Sequence, residues 1–353
     1  MRYNDWVSHA PTLALVGGFL GAGKTTLILR AAELLRRDGL RTAIITNDQD
    51  AGLVDTGFAA EHDVGIREVA GGCFCCRFSG LLDAAGQLAA YRPGVIFAEP
   101  VGSCTDLSAT VLQPLRAWHS GDYQLAPYTV LVDPARIPEA SLEDAIGFLF
   151  RQQIAEADLL CLSKCDVRGP EARLPVPIDY RLSAVTGLGV REWLREILHP
   201  TRISGARVLD IDYTRYAEAE AALGWVNLHA DLTLRTPASP AALAGPLLEE
   251  IDRRLTAAGI RIAHLKVFDR TATGYVKASV CANGDDPLPE GDLAASPAAR
   301  HELVVNLRAL GDPGQLRSAA GAALGAVDAA CVIRHDGAFR PPPPRPQHRL
   351  SGV

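Results

Sequence analysis

Residues 13–37 constrain this chain more than any other stretch. An apolar run from Leu13 to Val16 feeds the loop Gly17-Gly18-Phe19-Leu20-Gly21-Ala22-Gly23-Lys24-Thr25-Thr26, and Leu27, Ala31, Leu34 and Leu35 then recur at helical spacing. Gly18, Gly23, Lys24 and Thr25 fit the phosphate-loop pattern G-x-x-x-x-G-K-[ST]. Glycines let backbone N–H groups turn inward around a polyphosphate, and the helix starting near Lys24 points its positive end at it. Lys24 neutralises phosphate charge, and the Thr25 hydroxyl is a ligand for Mg²⁺. Gly18, Gly21, Ala22, Gly23, Lys24, Thr25 and Thr26 are therefore expected to hold a nucleoside triphosphate. A glycine-rich turn with no ligand is disfavoured, because the match is complete and sits between a strand and a helix.

Continuous apolar runs recur at Arg41 to Thr46, Val95 to Ala98, Thr129 to Val132 and Leu159 to Leu162, with helical patterns between them. Such runs, alternating with helices, predict a mostly parallel sheet covered on both faces, an α/β architecture. Ligands bind at the carboxyl ends of such strands, so the residues just after each run matter most. Glu99-Pro100-Val101-Gly102 follows the third run, placing a carboxylate where Mg²⁺ or its waters are held and a glycine N–H where a γ-phosphate is sensed. Asp133-Pro134 follows the fourth, and its carboxylate reads equally as a cap or as a site residue. Ser163-Lys164-Cys165-Asp166 follows the fifth and is close to N-K-x-D. There an aspartate accepts two hydrogen bonds from guanine while the lysine stem covers the ring. Ser183-Ala184-Val185-Thr186-Gly187 resembles the loop whose N–H groups meet guanine O6. Lys164, Asp166, Ser183 and Ala184 thus favour GTP over ATP, and a small-molecule kinase would have no use for them.

Three of the eight cysteines are crowded into Gly71-Gly72-Cys73-Phe74-Cys75-Cys76. Thiolates are soft ligands for Zn²⁺ and other late transition metals, and a loop lets several converge on one ion. The competing reading is that cysteine is a small buried hydrophobe. Cys104, beside the Glu99 to Gly102 stretch, is a speculative fourth ligand, whereas Cys161, Cys281 and Cys331 lie in apolar runs and are expected in the core.

With 353 residues the chain is long enough for two domains with real cores. A net charge of −6 argues against nucleic acid as a partner. No run of about 18 apolar residues is present, so no membrane span is expected. Met1 to Pro11 lacks the layout of a signal peptide, and a cytoplasmic location with reduced thiols is expected.

In the second half, Val208 to Asp212 and Tyr216 to Leu223 read as a connecting strand and short helix. Leu228, Ala230, Leu232 and Leu234 then alternate with Asn227, His229, Asp231 and Thr233, the period of a strand with one wet face. A helix through Leu243 and Leu255 follows, with Pro246 placed at its start. Strands are expected at Ile260 to Phe268, Gly274 to Cys281, Leu303 to Leu310 and near Val332, with a loop over Asn283 to Ser296 and a helix after Pro313. This order suggests an antiparallel sheet with helices on one face. From Asp336 the chain is proline-rich and basic, reading either as a disordered tail or as a strap that docks on a partner.

Taken together, GGFLGAGKTT, G-G-C-F-C-C, E-P-V-G, S-K-C-D and Gln153-Ile154-Ala155-Glu156-Ala157-Asp158, similar to Q-x-x-x-A-D, resemble the CobW-type metallochaperone GTPases, relatives of the urease and hydrogenase nickel-insertion GTPases. The resemblance implies a phosphate-loop GTPase domain over 1–200 and a connecting segment over 201–224. It also implies a smaller α+β ferredoxin-like domain over 225–335, followed by the tail over 336–353. It implies slow GTP hydrolysis to GDP served by Lys24, Thr25 and Glu99, with Gly102 near the γ-phosphate. A transition metal of the Zn²⁺ or Co²⁺ type would sit on Cys73, Cys75 and Cys76 and pass to a client metalloprotein; a homodimer is left open. Two departures stand out: Asn47-Asp48-Gln49-Asp50, with Asp55 further on, replaces N-E-x-G-x-x-x-x-D, and there is no histidine-rich tract. The alternative is a GTP-driven assembly or reactivation factor for a metalloenzyme or corrinoid protein, with the cysteines structural or redox-active.

Overall fold

The computed structural model describes residues 10–47, 65–167, 174 and 176–351. Asp48 to Asp63, including Asp55, and the first nine residues lie outside the described residues. The described residues divide into two units: one holds those up to Ala217 together with those from Pro344 onward, the other Glu218–Pro343.

The first unit is built on β1 (Thr12–Gly18), α1 (Lys24–Arg37), β2 (Thr42–Asn47), β3 (Gly65–Val69), α2 (Phe78–Leu88) and β4 (Val95–Glu99). It continues through α3 (Gln113–Trp118), β5 (Gln124–Leu125), β6 (Thr129–Val132), α4 (Ala145–Glu156), β7 (Leu159–Leu162), β8 (Tyr180–Arg181) and α5 (Val190–Leu198). The strand order is β3-β2-β4-β1-β6-β7-β8, with β5 also pairing with β1, and the pairs are parallel. β1, β2, β4, β6 and β7 are buried along their whole length, as continuous apolar runs require. After β1 the chain runs to the β2 side of the sheet, and after β4 it crosses to the β6 side, so the connections change direction around β1 and the crevice for a ligand lies there. Two strands the apolar runs did not announce are edge or near-edge pieces: β3 exposes Arg67, and β8 is only two residues long.

After α6 (Tyr213–Ala221), the second unit has β9 (Leu223–Ala238), α7 (Pro240–Ala257), β10 (Arg261–Thr271), β11 (Gly274–Val280), β12 (Leu288–Gly291), β13 (Ala298–Leu310), α8 (Pro313–Gly325) and β14 (Ala329–Phe339). Its strand order is β12-β11-β10-β13-β9-β14, all neighbours antiparallel. Without the β11–β12 hairpin this is a split β-α-β-β-α-β sheet, the ferredoxin-like arrangement. Leu228, Ala230 and Leu232 of β9 join Leu247, Ile251 and Leu255 of α7 and Leu316 and Ala320 of α8 in one apolar core.

Several local expectations are corrected. Val208 to Asp212 forms no strand, and the stretch read as a loop over Asn283 to Ser296 contains β12. α7 starts at Pro240, capped by Ser239 Oγ, and Pro246 lies inside the helix. Asn227 is fully buried and accepts from Asn306 Nδ2 at 3.0 Å, so the wet face begins only at His229. Cys161 and Cys281 are buried, but Cys331 is exposed because β14 is the edge strand. Asp336 to Phe339 finish β14, so the tail begins after Phe339.

Candidate nucleotide and metal site

The phosphate loop is set by backbone conformations that its glycines allow. Gly18 has φ +129°, and a Cβ there would lie 2.4 Å from the Leu131 carbonyl oxygen of β6. Gly21 and Gly23 are left-handed, and Gly23 caps α1. Lys24 is buried and donates from Nζ to the Gly18 carbonyl at 3.0 Å. Thr25 Oγ1 donates to both Glu99 oxygens, at 3.0 and 2.9 Å, and Lys24 Nζ lies 4.0 Å from Glu99 Oε1. Parallel pairing of β1 with β4 thus brings Glu99 against the phosphate loop. The Thr25 hydroxyl and Glu99 carboxylate are hard oxygen donors, which suits Mg²⁺. Thr26 is half-buried on the first turn of α1.

The chain after Glu99 is held close. A Cβ on Gly102 would meet Leu20 Cδ2 at 2.7 Å, so this turn packs on the phosphate loop. The Gln153 side-chain amide donates to the Gly102 and Cys104 carbonyls at 3.0 and 2.8 Å, and Thr105 Oγ1 donates to Glu156 at 3.1 Å. Asp158 accepts from the Tyr128, Gly205 and Ala206 N–H groups. Gln153 of the Q-x-x-x-A-D pattern, with the neighbouring Glu156, therefore braces the loop beyond Glu99, while Asp158 ties down the residues before β6 and at 205–206. Arg136, which sequence reasoning left unassigned, is buried with its guanidinium 4.7 Å over the Phe19 ring of the phosphate loop.

At the other end of the crevice, Lys164 Nζ pairs with Asp133 Oδ2 at 2.8 Å, and its Cε is 4.0 Å from where a Gly23 Cβ would be. Asp133 Oδ1 also accepts from Ala135 N, so this carboxylate is both a cap and the partner of Lys164. Cys165 N donates to the Leu182 carbonyl, which joins the S-K-C-D turn to the Ser183 loop. Asp166 is exposed, Ala184 is half-buried, and Ser183 is buried with Oγ accepting from Thr186 N.

The thiols form a separate cluster. Cys73, Cys75 and Cys76 have their sulfurs within 4.8 Å of one another, the one such metal-capable group among the described residues. The Cys73 and Cys75 sulfurs are in contact, and Cys76 Sγ lies 3.5 Å from Cys73 Sγ and 3.6 Å from Cys75 Sγ. The last two spacings approach the ~3.8 Å between sulfurs on a tetrahedral zinc ion, so the donor set fits a soft metal. Cys104 is buried but outside this group, which removes it as the fourth ligand. The loop is anchored by Asn47 at the end of β2. Its Nδ2 donates to the Val69 and Gly72 carbonyls, both at 2.8 Å, and its Oδ1 accepts from Phe74 N at 2.9 Å. In the sequence Asn47 reads only as the head of a departing motif; its position directly after an apolar run is the signal that marks it.

A parallel sheet with a phosphate loop at its switch point, a carboxylate against the loop threonine and thiols near the next strand end define a nucleotide-binding domain with an attached metal-capable cluster. Residues 12–179 match the family described as CobW/HypB/UreG, nucleotide-binding domain. Among curated proteins, the zinc chaperone YeiR of Escherichia coli is 30% identical over 168 residues, which is 45% of this chain and 48% of that protein. The zinc chaperone YjiA of the same organism is 29% identical over 171 residues, 46% of this chain and 52% of that protein. The chain thus spans about half the length of the curated relatives it matches. Among solved structures, zinc-bound YjiA GTPase from E. coli aligns over 89% of this chain and 98% of that one, with 14% identity and a TM-score of 0.34.

Proposed function

We propose that this chain binds GTP, hydrolyses it slowly, and carries a transition metal of the zinc or cobalt type on Cys73, Cys75 and Cys76 for delivery to a client metalloprotein under nucleotide control. Gly18 to Thr26 hold the phosphates, Lys24 balances their charge, Gly102 lies near the γ-phosphate, and Lys164, Asp166, Ser183 and Ala184 bind guanine. Thr25 and Glu99 would hold Mg²⁺, which would supply positive charge beside the phosphate oxygens. The named relatives being zinc chaperones supports zinc as the cargo.

The observation that carries the reading is the short path between the two sites. Thr25 bonds Glu99, Glu99 is the register partner of Thr46, and Asn47, the next residue, ties the strand end to the thiol loop. A phosphate that rearranges Thr25 and Glu99 acts on the strand end that positions the sulfurs.

The test is a zinc titration of reduced full-length protein against a chelating indicator, in the GTP-bound and GDP-bound forms. Affinities should differ by about fivefold or more, and Lys24→Ala should abolish both hydrolysis and the difference. Equal affinities would refute the coupling. The closeness of the Cys73 and Cys75 sulfurs also suits a second reading, an assembly or reactivation factor with redox-active cysteines. Replacing all three cysteines by serine separates the two, since only the second reading allows bound metal and client effect to persist.

A further inference from the structure

The chain returns to the first unit through Pro341-Pro342-Pro343-Pro344, and the residues that follow lie in a groove beside the thiols. Arg345 N donates to Cys76 Sγ at 3.1 Å, and Gln347 N donates to the Cys75 carbonyl at 2.9 Å. Gln347 Oε1 accepts from Ser79 N at 2.9 Å while its Nε2 reaches Ser79 Oγ at 3.3 Å, a reciprocal pair. The His348 ring packs edge-on to Trp118 and Phe78, with centroids 4.8 and 5.3 Å away. Arg349 Nε donates to Asp106 Oδ2 at 2.8 Å and Nη2 to the Leu209 carbonyl at 2.7 Å. Leu350 N closes the contact on the Ala109 carbonyl at 2.9 Å.

These contacts have the form of peptide recognition. Main-chain bonds at positions 345, 347 and 350 hold the backbone, and three side chains are read individually: an amide by Ser79, an imidazole by an aromatic slot, and a guanidinium by a carboxylate. Asp106 is fully buried with φ +63°, and Tyr213 Oη donates to it at 2.6 Å, so the anion that receives Arg349 is fixed before the arginine arrives. The proline run pre-sets an extended approach, which lowers the entropy lost on docking.

We propose that the groove bounded by Cys75, Cys76, Ser79, Trp118 and Asp106 is a recognition site for an Arg-Pro-Gln-His-Arg peptide, filled in cis by this chain's own residues 345–350, which cover Cys76 until the segment is displaced. Its consequence for metal exchange rests on the function proposed above; the docking itself does not. Asp106 lies on the stretch that leaves Glu99, so the strap is fastened both to the thiol loop and to the chain beyond the nucleotide site.

The test uses reduced, metal-free and nucleotide-free full-length protein, so it reads the strap even if the metal-carrier assignment fails. Iodoacetamide labelling of Cys76 is followed by peptide mass spectrometry, with the buried Cys161 as the control for unfolding. His348→Ala with Arg349→Ala should raise the Cys76 rate about tenfold, as the closed fraction falls, while Cys161 stays unlabelled. Arg349→Glu, a change at a side chain on the surface, should do the same by repulsion from Asp106. A free peptide of residues 341–353 at about millimolar concentration, the level a short cis linkage supplies, should restore protection to the double variant. Cys76 rates within twofold of wild type in both variants would overturn the cover, and failure of the peptide to protect would overturn the recognition site.

Discussion

Glu156, at the end of α4, has its carboxyl wholly buried, where it accepts from Thr105 Oγ1 and Ser108 N. Burial pushes its pKa up from 4.5 to about 8, with the Asp106 charge adding to the rise and the Ser108 and Thr105 donors opposing it. A folded pKa above the unfolded one means the folded chain binds the extra proton. The resulting stability is full below about pH 4.5 and is lost as pH rises toward 8, at no more than ~1.4 kcal/mol per pH unit. Glu156→Gln keeps a neutral group there and should flatten this loss. Denaturant midpoints should show the variant gaining on wild type from pH 5 to pH 8; a constant offset across that range would show that Glu156 does not carry the proton. Glu156 itself could be read from the sequence only as part of a motif. That a buried acid lies against the stretch that follows Gly102 is a property of α4 packing against residues 105–108, which no local pattern states.

At the scale of elements, the phosphate loop needs β1, α1 and β4 in register, while the thiol loop needs β2 and β3. Asn47 joins the two halves through three buried bonds. Asn47→Ala leaves the Phe74 N–H and the Gly72 and Val69 carbonyls without it, and is expected to cost roughly 1–3 kcal/mol of stability. It should weaken zinc binding about tenfold, a loss of ~1.4 kcal/mol, while GTP affinity changes little. Titration of both ligands on the variant checks this, and unchanged zinc affinity would remove Asn47 from the path. The strong apolar runs that became β1, β2, β4, β6 and β7 were legible because strands buried on both faces leave no polar gaps. β3 was not, because an edge strand with exposed Arg67 breaks the run, and β12 was hidden by a stretch rich in Asp, Pro and Gly.

At the scale of the whole molecule, each unit has its own sheet, and the apolar core of the second runs from Val226 to Leu324 using residues of that unit alone. No helix among the described residues is long and apolar enough to cross a membrane. A ligand stabilises the unit that binds it, by ~2.7 kcal/mol at about 100 times its Kd. GTP with Mg²⁺ should therefore slow hydrogen exchange at amides of β1, α1 and β4 and leave β9 and β13 near their unliganded rates; uniform slowing in both sheets would contradict separate cores. The sequence by itself determined the chemistry on offer. A phosphate loop, an S-K-C-D turn and three crowded thiols are local patterns, in which residue type at fixed spacing carries the physics. Only the tertiary structure decided which of these groups meet: that Glu99 closes on Thr25, that Cys104 stays apart from the other thiols, that Asp133 orients Lys164, and that residues 345–350 return across 269 positions of chain to lie on Cys76. Such contacts depend on strand order and loop closure, and these are set by the packing of the whole chain.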